Sequence, residues 1–495
     1  MKLFQTMFQT SLVALALAGS AQAQSLTSFN NQPTTGSGNS ATGSWQKLKN
    51  QPTFQTDTAL LLTDATVMVH EYETPNWWRL TPTSAGSYVN GTWSQVASMA
   101  ADYCPLYFDS AVLPDGRLLV EGGEYNPCAS DETPLGAIYD PIANTWTNVN
   151  PPDGWSNIGD STAVVLPNGQ FMLGQNASTL QAVFNASNLT WTSVGFGKAD
   201  HFAEEGFALL PNGKILTVDT EDGTNSEIYN PSTEQWSFAG DVKTVLGDNG
   251  GLPIVDEIGP MIQRPNGTVV AFGATSHNSV YNEKTGTWTP GPDFPNGDAI
   301  ADGPASILTN GNVLAFTSPF FASPGTFYEF DGSKFNLAPG TASSPTQPSF
   351  QGRLLSLPTG QVLYTVSDGA TIDVEVYTPK GEVNDSWRPV ITSVPGSVTR
   401  GNSYKISGTQ FNGLSVGATY GDDEQVATNY PIVVILTVNG FFAARTHDHS
   451  SMGIATGSKI VSTTFDVPAS IPRGPALISV VANGIASYPR LINVK

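Results

Sequence analysis

Acidic, amide and phenolic side chains recur at one position of a repeated hairpin. That position reads Thr56, Tyr107, Asp160, Glu204, Ile258, Asp302 and Gln351, with Glu205 and Glu257 one residue away. Carboxylates gathered in one place can hold a hard cation, accept hydrogen bonds from the hydroxyls of a polyol, or push one another's pKa values apart for acid–base work. A second stretch, Arg445-Thr446-His447-Asp448-His449-Ser450-Ser451-Met452, carries two of the five histidines. On a strand His447 and His449 share one face. Such a pair can ligate a metal, although His-x-His alone is a weak signal. The bland readings are hydrogen bonding of the acids to neighbouring sheets or buried water and a hydrogen-bonded loop for the imidazoles.

The elements that must position these groups are seven hairpins, each a strand, a tight turn and an apolar strand. The turns read Thr63-Asp64-Ala65, Pro114-Asp115-Gly116, Pro167-Asn168-Gly169, Pro211-Asn212-Gly213, Pro265-Asn266-Gly267, Thr309-Asn310-Gly311 and Pro358-Thr359-Gly360. Asn-Gly and Asp-Gly supply the positive φ of a tight hairpin turn. The last residues of successive turns lie 51, 53, 44, 54, 44 and 49 positions apart. That period is the signature of propeller blades. The first strand of a blade lines the axial channel, so the position nine residues before the end of each turn faces the channel mouth. Most repeats also carry an aromatic pair, such as Tyr139…Trp146, Phe184…Trp191, Tyr229…Trp236 and Tyr281…Trp288, expected to pack between blades. After Tyr377-Thr378-Pro379 the pattern stops. The strand Trp45 to Leu48 is expected to complete the seventh blade and close the ring, removing an open sheet edge.

Composition agrees with an all-β chain. Charged residues are only 13% of 495, while Gly (49) and Pro (35) are frequent, and no long helical period is found. The formal net charge of −21 argues against nucleic acid and anionic membranes as partners. Residues 1–23 read as a secretory signal cleaved after Ala23, and no apolar run is long enough to span a bilayer. The mature chain is therefore expected to be secreted or periplasmic. Residues 24–43 read as a Ser/Thr/Asn/Gly-rich linker, 44–387 as the propeller, and 388–495 as a β-sandwich of short strands. Cys104 and Cys128 flank the Pro114 hairpin and are expected to form a disulfide in an oxidising compartment. Asp422-Asp423-Glu424 is an acidic turn that could take calcium, and Trp77-Trp78 beside Tyr72 could stack on a sugar; a solvated loop and ordinary packing are the simpler readings.

The arrangement resembles the galactose oxidase and glyoxal oxidase family of copper radical oxidases. The resemblance rests on the hairpin repeat, on Ile391-Thr392-Ser393-Val394-Pro395-Gly396-Ser397-Val398, and on the ending Pro475…Ser479…Ala482-Asn483-Gly484. It implies a seven-bladed Kelch-type β-propeller followed by an Ig-like early-set domain. It also implies copper held by two tyrosines and two histidines, one tyrosine being thioether-bonded to a cysteine. Here Tyr107 stands where that cysteine is expected, Asp160 where the cross-linked tyrosine is expected, and Phe350-Gln351 where a Tyr-His pair is expected; only His447 or His449 matches. Phenylalanine cannot ligate, and an amide is a poor copper ligand. The reading is therefore a secreted protein of this architecture without the copper–radical machinery. No cofactor is expected; the alternatives are copper, as the family implies, and calcium held by the acids. Tyr107, Asp160, Glu204, Glu205, Glu257, Asp302 and Gln351 would line the channel mouth beneath a loop carrying His447 and His449. They would bind a polar ligand, carbohydrate foremost. The alternatives are a copper oxidase, a carboxylate–histidine glycan hydrolase or lyase, and a protein-binding scaffold.

Overall fold

A computed structural model describes residues 42–159, 161–221, 223–248, 250–251, 256–421 and 428–495. Residues 1–41, read above as a secretory signal and most of a linker, Asp160 and the Asp422-Asp423-Glu424 stretch lie outside the described residues. Among the described residues the regular structure is β throughout, apart from four single-turn 3-10 segments. None of their helices is long and apolar enough to cross a membrane.

Seven antiparallel sheets follow one another along the chain. Their first strands are Thr56–Leu61, Asp109–Val112, Ala163–Val165, Ala208–Leu209, Ile258–Arg264, Ala305–Ile307 and Gly352–Ser356. The strand Gly352–Ser356 packs against Thr56–Leu61, so the row of sheets closes into a ring with the first strands innermost. These strands read as apolar runs because both faces are covered by neighbouring sheets. At the seven turns the last residue is left-handed in every case, with φ of 65° at Ala65 and 78–89° at Gly116, Gly169, Gly213, Gly267, Gly311 and Gly360. Each of these residues donates its N–H to the carbonyl three positions earlier, as Gly116 does to Leu113 at 2.8 Å. Six of the seven are glycine because a Cβ disfavours that φ.

The aromatic repeat has a physical cause. Tyr139↔Trp146, Phe184↔Trp191, Tyr229↔Trp236 and Tyr281↔Trp288 are directly opposed cross-strand partners. Their ring centroids lie 5.1–5.2 Å apart. Each indole N–H then reaches the sheet before its own: Trp146 to Ala97 O, Trp191 to Asn150 O, Trp236 to Gln181 Oε1 and Trp288 to Ser226 Oγ, all at 2.8–2.9 Å. The ring buries apolar area while the N–H ties adjacent sheets. Trp45 and Trp93 make the same bond, to Pro339 O and Asn50 O. Trp77 and Trp78 are packing residues. Trp77 is buried against His70, and Trp78 stacks on Phe54 at 4.5 Å with its N–H on Glu71.

The strand Ser44–Lys47 pairs with Glu375–Thr378 and supplies the outermost strand of the seventh sheet, as the interrupted pattern implied. Cys104 and Cys128 are disulfide-bonded. Two further sheets are built from the C-terminal strands. One joins Val390–Ser393, Ser403–Thr409, Val461–Asp466 and Thr446–His447; the other contains Ile432–Thr437, Gly440–Ala444, Gly474–Ala482 and Arg490–Val494. A single apolar core, including Ile406, Val433, Phe465 and Ile478, joins them. This C-terminal part sits on the turn side of the ring: Thr446 N–H donates to Thr63 O, His449 N–H to Pro114 O and Met452 N–H to Pro167 O.

Candidate functional site

The axis is entered by a finger of chain from the turn side. Val416 packs with Val164 and Leu209. Ala418–Thr419 adds a fifth strand to the inner edge of the sixth sheet, opposite Ala305 and Ser306. The Tyr420 hydroxyl then donates to Phe350 O at 2.6 Å. Gly421 reaches the far mouth, where a Cβ would lie 2.7 Å from the Asp302 Cα; Gly206 faces it, and a Cβ there would lie 2.7 Å from Gly421 O. Glycine at both positions lets the finger pass this close to Asp302 and to the fourth sheet. The mouth opposite the turns, which the finger reaches at Gly421, is where the axial acids gather.

At that mouth Glu204, Glu257 and Asp302, from the fourth, fifth and sixth sheets, bring carboxylate oxygens within 4.8 Å of one another. Glu257 is buried and the other two half-buried. Three residues at the repeated axial position are left-handed without being glycine: Tyr107 (φ 50°), Glu204 (59°) and Asp302 (48°). Such residues cost roughly 1 kcal/mol or more each and persist where surrounding contacts impose them, often at functional sites. Beside the acids, the buried Arg353 guanidinium lies 4.0 Å from the Tyr420 ring and 5.4 Å from that of Tyr107. Phe320, Phe321 and Phe350 form a half-buried wall, with Phe321 at 4.2 Å from Phe320 and 5.3 Å from Phe350. It adjoins Asp302 through Gly303, whose Cβ position lies 2.9 Å from the Ser349 side chain. Gln351 is half-buried in the 3-10 turn Ser349–Gln351 at the same mouth.

Two placements differ from those expected. Glu205 points away from the mouth into the fourth sheet, where it is fully buried 2.7 Å from Lys198 Nζ. Lys198 also meets Asp200, Glu227 (2.7 Å) and Asp219 (3.4 Å). The left-handed turn at Glu204 aims its side chain and that of Glu205 in different directions. The histidine pair lies on the turn side, against the sheet ends, not above the acids. His447 bonds Asp448 and Asp466 at 2.8 and 3.1 Å, and the buried His449 bonds Thr463 at 2.9 Å. Burial, then the neighbouring His447 and Arg445, push the His449 pKa down to about 3, so it stays neutral. The finger was missed because its apolar Val416–Thr419 run carries no chemical signature.

The buried lysine cage has a pH consequence. Burial raises the Asp219 pKa, and Asp200 and Glu227 add to this against the pull of Lys198, giving about 7 in place of 3.8. A carboxyl raised on folding stabilises fully below its unfolded pKa and loses that contribution as pH rises through the folded value. We expect the melting temperature to fall between pH 5 and pH 8, with a loss on the order of 2 kcal/mol. Asp219→Asn should flatten that fall in a thermal melt; an equally steep profile in the variant would count against the assignment.

The copper centre implied by the family resemblance does not fit these residues. Both cysteines are consumed in the disulfide, leaving no thiol for a thioether. His70 has both ring nitrogens bonded, to Asp57 at 2.9 Å and to Thr74 O at 2.6 Å. His277 pairs with Asp293, and His201 lies 3.6 Å from Glu221. The clustered donors are carboxylate oxygens, which suit calcium, magnesium or manganese better than copper.

No family model matches the chain, and no curated protein matches it. Among solved structures, a fungal alcohol oxidase of the AA5 family, in complex with copper, aligns with a TM-score of 0.51 and 14% identity. The alignment covers 92% of this chain and 99% of that one. The extracellular domain of a one-component system from B. thetaiotaomicron aligns with a TM-score of 0.47 and 9% identity, over 92% of this chain and 58% of that one. The first likeness is one of fold; the second is too low to build on.

Proposed function

We propose that this chain is an exported, galactose-oxidase-like propeller with an Ig-like early-set sandwich beginning near residue 388, whose axial mouth binds a polyhydroxylated ligand, carbohydrate in class, with the help of a hard divalent cation. The observation that carries the reading is the convergence of Glu204, Glu257 and Asp302 from three successive sheets onto one point of the axis. A hard divalent cation would offset two of the three negative charges and accept sugar hydroxyls as further ligands. The phenylalanine wall offers apolar faces for a sugar ring. A carboxylate–histidine hydrolase is less well supported, because the His447/His449 pair lies at the opposite end of the channel.

Metal analysis of protein purified without added metal, followed by calcium titration and a glycan array, tests this. We expect no stoichiometric copper. We expect calcium binding that weakens about 30-fold or more in Glu257→Gln, the removal of one of three anionic ligands. Stoichiometric copper, or calcium affinity indifferent to Glu257→Gln and Asp302→Asn, would overturn the proposal.

A further inference from the structure

We propose that Lys198 is the positioning residue of the axial site: its buried ammonium holds the segment 198–206 so that Glu204 meets Glu257 and Asp302. The inference rests on the reading of that mouth as a cation-assisted binding site. The fourth sheet has the weakest inner ladder in the ring, Ala208–Leu209, two residues against three to seven elsewhere. Main-chain bonds to the residues just before it are few and long, Phe202 N–H to Ser178 O at 3.2 Å and Glu205 N–H to Phe202 O at 3.4 Å. Side chains add the rest. The Lys198 ammonium, 1% exposed, lies 2.7 Å from Glu205 and also contacts Asp200, both on the same segment. Glu227, on the strand Ser226–Asn230, anchors it to the body of the sheet; Asp219, just past the strand Ile215–Val218, is its most distant contact at 3.4 Å. Rings of Phe202 and Trp236 flank it at 5.4 and 5.7 Å.

Both neighbours of Glu204 are tied down. Thr220 Oγ1 donates to Ala203 O at 2.8 Å, and Thr217 Oγ1 donates to Glu205 Oε2 at 2.9 Å and to Gly206 O at 3.1 Å. Glu204 spans these anchors in a left-handed conformation that a relaxed chain would leave. Removing the ammonium leaves four buried carboxyls facing one another without a counter-charge. The part free to move apart is the weakly paired segment that carries Asp200, Glu205 and, between its anchors, Glu204.

The test is terbium(III) luminescence, a probe of oxygen-ligated sites, on the full exported chain, with hydrogen exchange over residues 198–207. Lys198→Met should weaken terbium binding about tenfold or more and speed exchange at 203–205. Thr217→Val keeps the ammonium but releases Glu205 Oε2; it should weaken binding severalfold and is decisive if Lys198→Met does not fold. Asp219→Asn, the most distant contact of the ammonium, should leave binding within about twofold, which a general loss of stability would not produce. Terbium held by the emptied cage in Lys198→Met is recognised by its indifference to an added Glu204→Gln. Binding in Lys198→Met that remains at full strength and is abolished by Glu204→Gln overturns the inference. A wild-type chain that binds no terbium sinks the ligand-site reading instead. Exchange then judges the positioning: faster at 203–205 in Lys198→Met supports it, and unchanged exchange overturns it.

Discussion

Arg353→Met is expected to lower the unfolding free energy by about 3 kcal/mol, the cost of leaving a buried carboxylate without its guanidinium counter-charge. Arg353 and Asp57 are almost wholly buried, with the guanidinium 3.8 Å from the carboxylate. Burial would raise the Asp57 pKa, but the hydrogen bond from His70 and the charge of Arg353 hold it below its ordinary value. Asp57 therefore stays ionised, and taking Arg353 away leaves it buried with the His70 hydrogen bond but without its guanidinium counter-charge. The guanidinium also donates to Phe350 O at 2.5 Å and Gly352 O at 3.0 Å, and packs on the Tyr420 ring. One side chain thus links the first and seventh sheets and the end of the finger. Chemical denaturation measures the effect. A change below about 1 kcal/mol would mean that water or a rearranged partner compensates the carboxylate, and the account of the ring closure would fail.

Deleting residues 44–50 should be at least as severe. The deletion removes the outer strand of the seventh sheet, exposing the edge Glu375–Thr378. Trp45 leaves a nest of Phe327, Tyr377 and Tyr364 at 4.8, 4.9 and 5.7 Å. Leu48, only 3% exposed, leaves the core, and its N–H bond to Val374 O at 3.0 Å is lost. The Lys47–Asp373 ion pair goes with them. Two large apolar side chains alone contribute about 3–6 kcal/mol by area. We expect the melting temperature to fall by about 10 °C or more, on a scale of 2–4 °C per kcal/mol for a large domain. An unchanged melt would show that the ring closes without the N-terminal strand.

The fold was legible because its signals are local. A left-handed turn residue needs Gly or a tolerant neighbour, and Gly116, Gly169 and Gly213 announce three hairpins by themselves. The paired Tyr139 and Trp146 mark the outer strands because each indole must find a carbonyl or hydroxyl on the preceding sheet. The axial acids were half legible. Counting back from the turn finds Glu204 and Asp302 but lands on Ile258 in place of Glu257, because a bulge in the fifth sheet between Ile258 and Met261 shifts the register by one residue.

By itself the amino-acid sequence determined the all-β ring of seven hairpins, its closure by the N-terminal strand, and the Cys104–Cys128 bridge. Turn φ, strand alternation and aromatic burial are set within a few residues of one another. Only the tertiary structure decided which charged groups share a space. It turned Glu205 inward onto Lys198, put His447 and His449 at the other end of the channel, and chose residues 416–421 as the finger that meets Asp302. Those outcomes depend on which residues far apart in the chain are packed side by side, and on burial that makes a lone charge seek its partner.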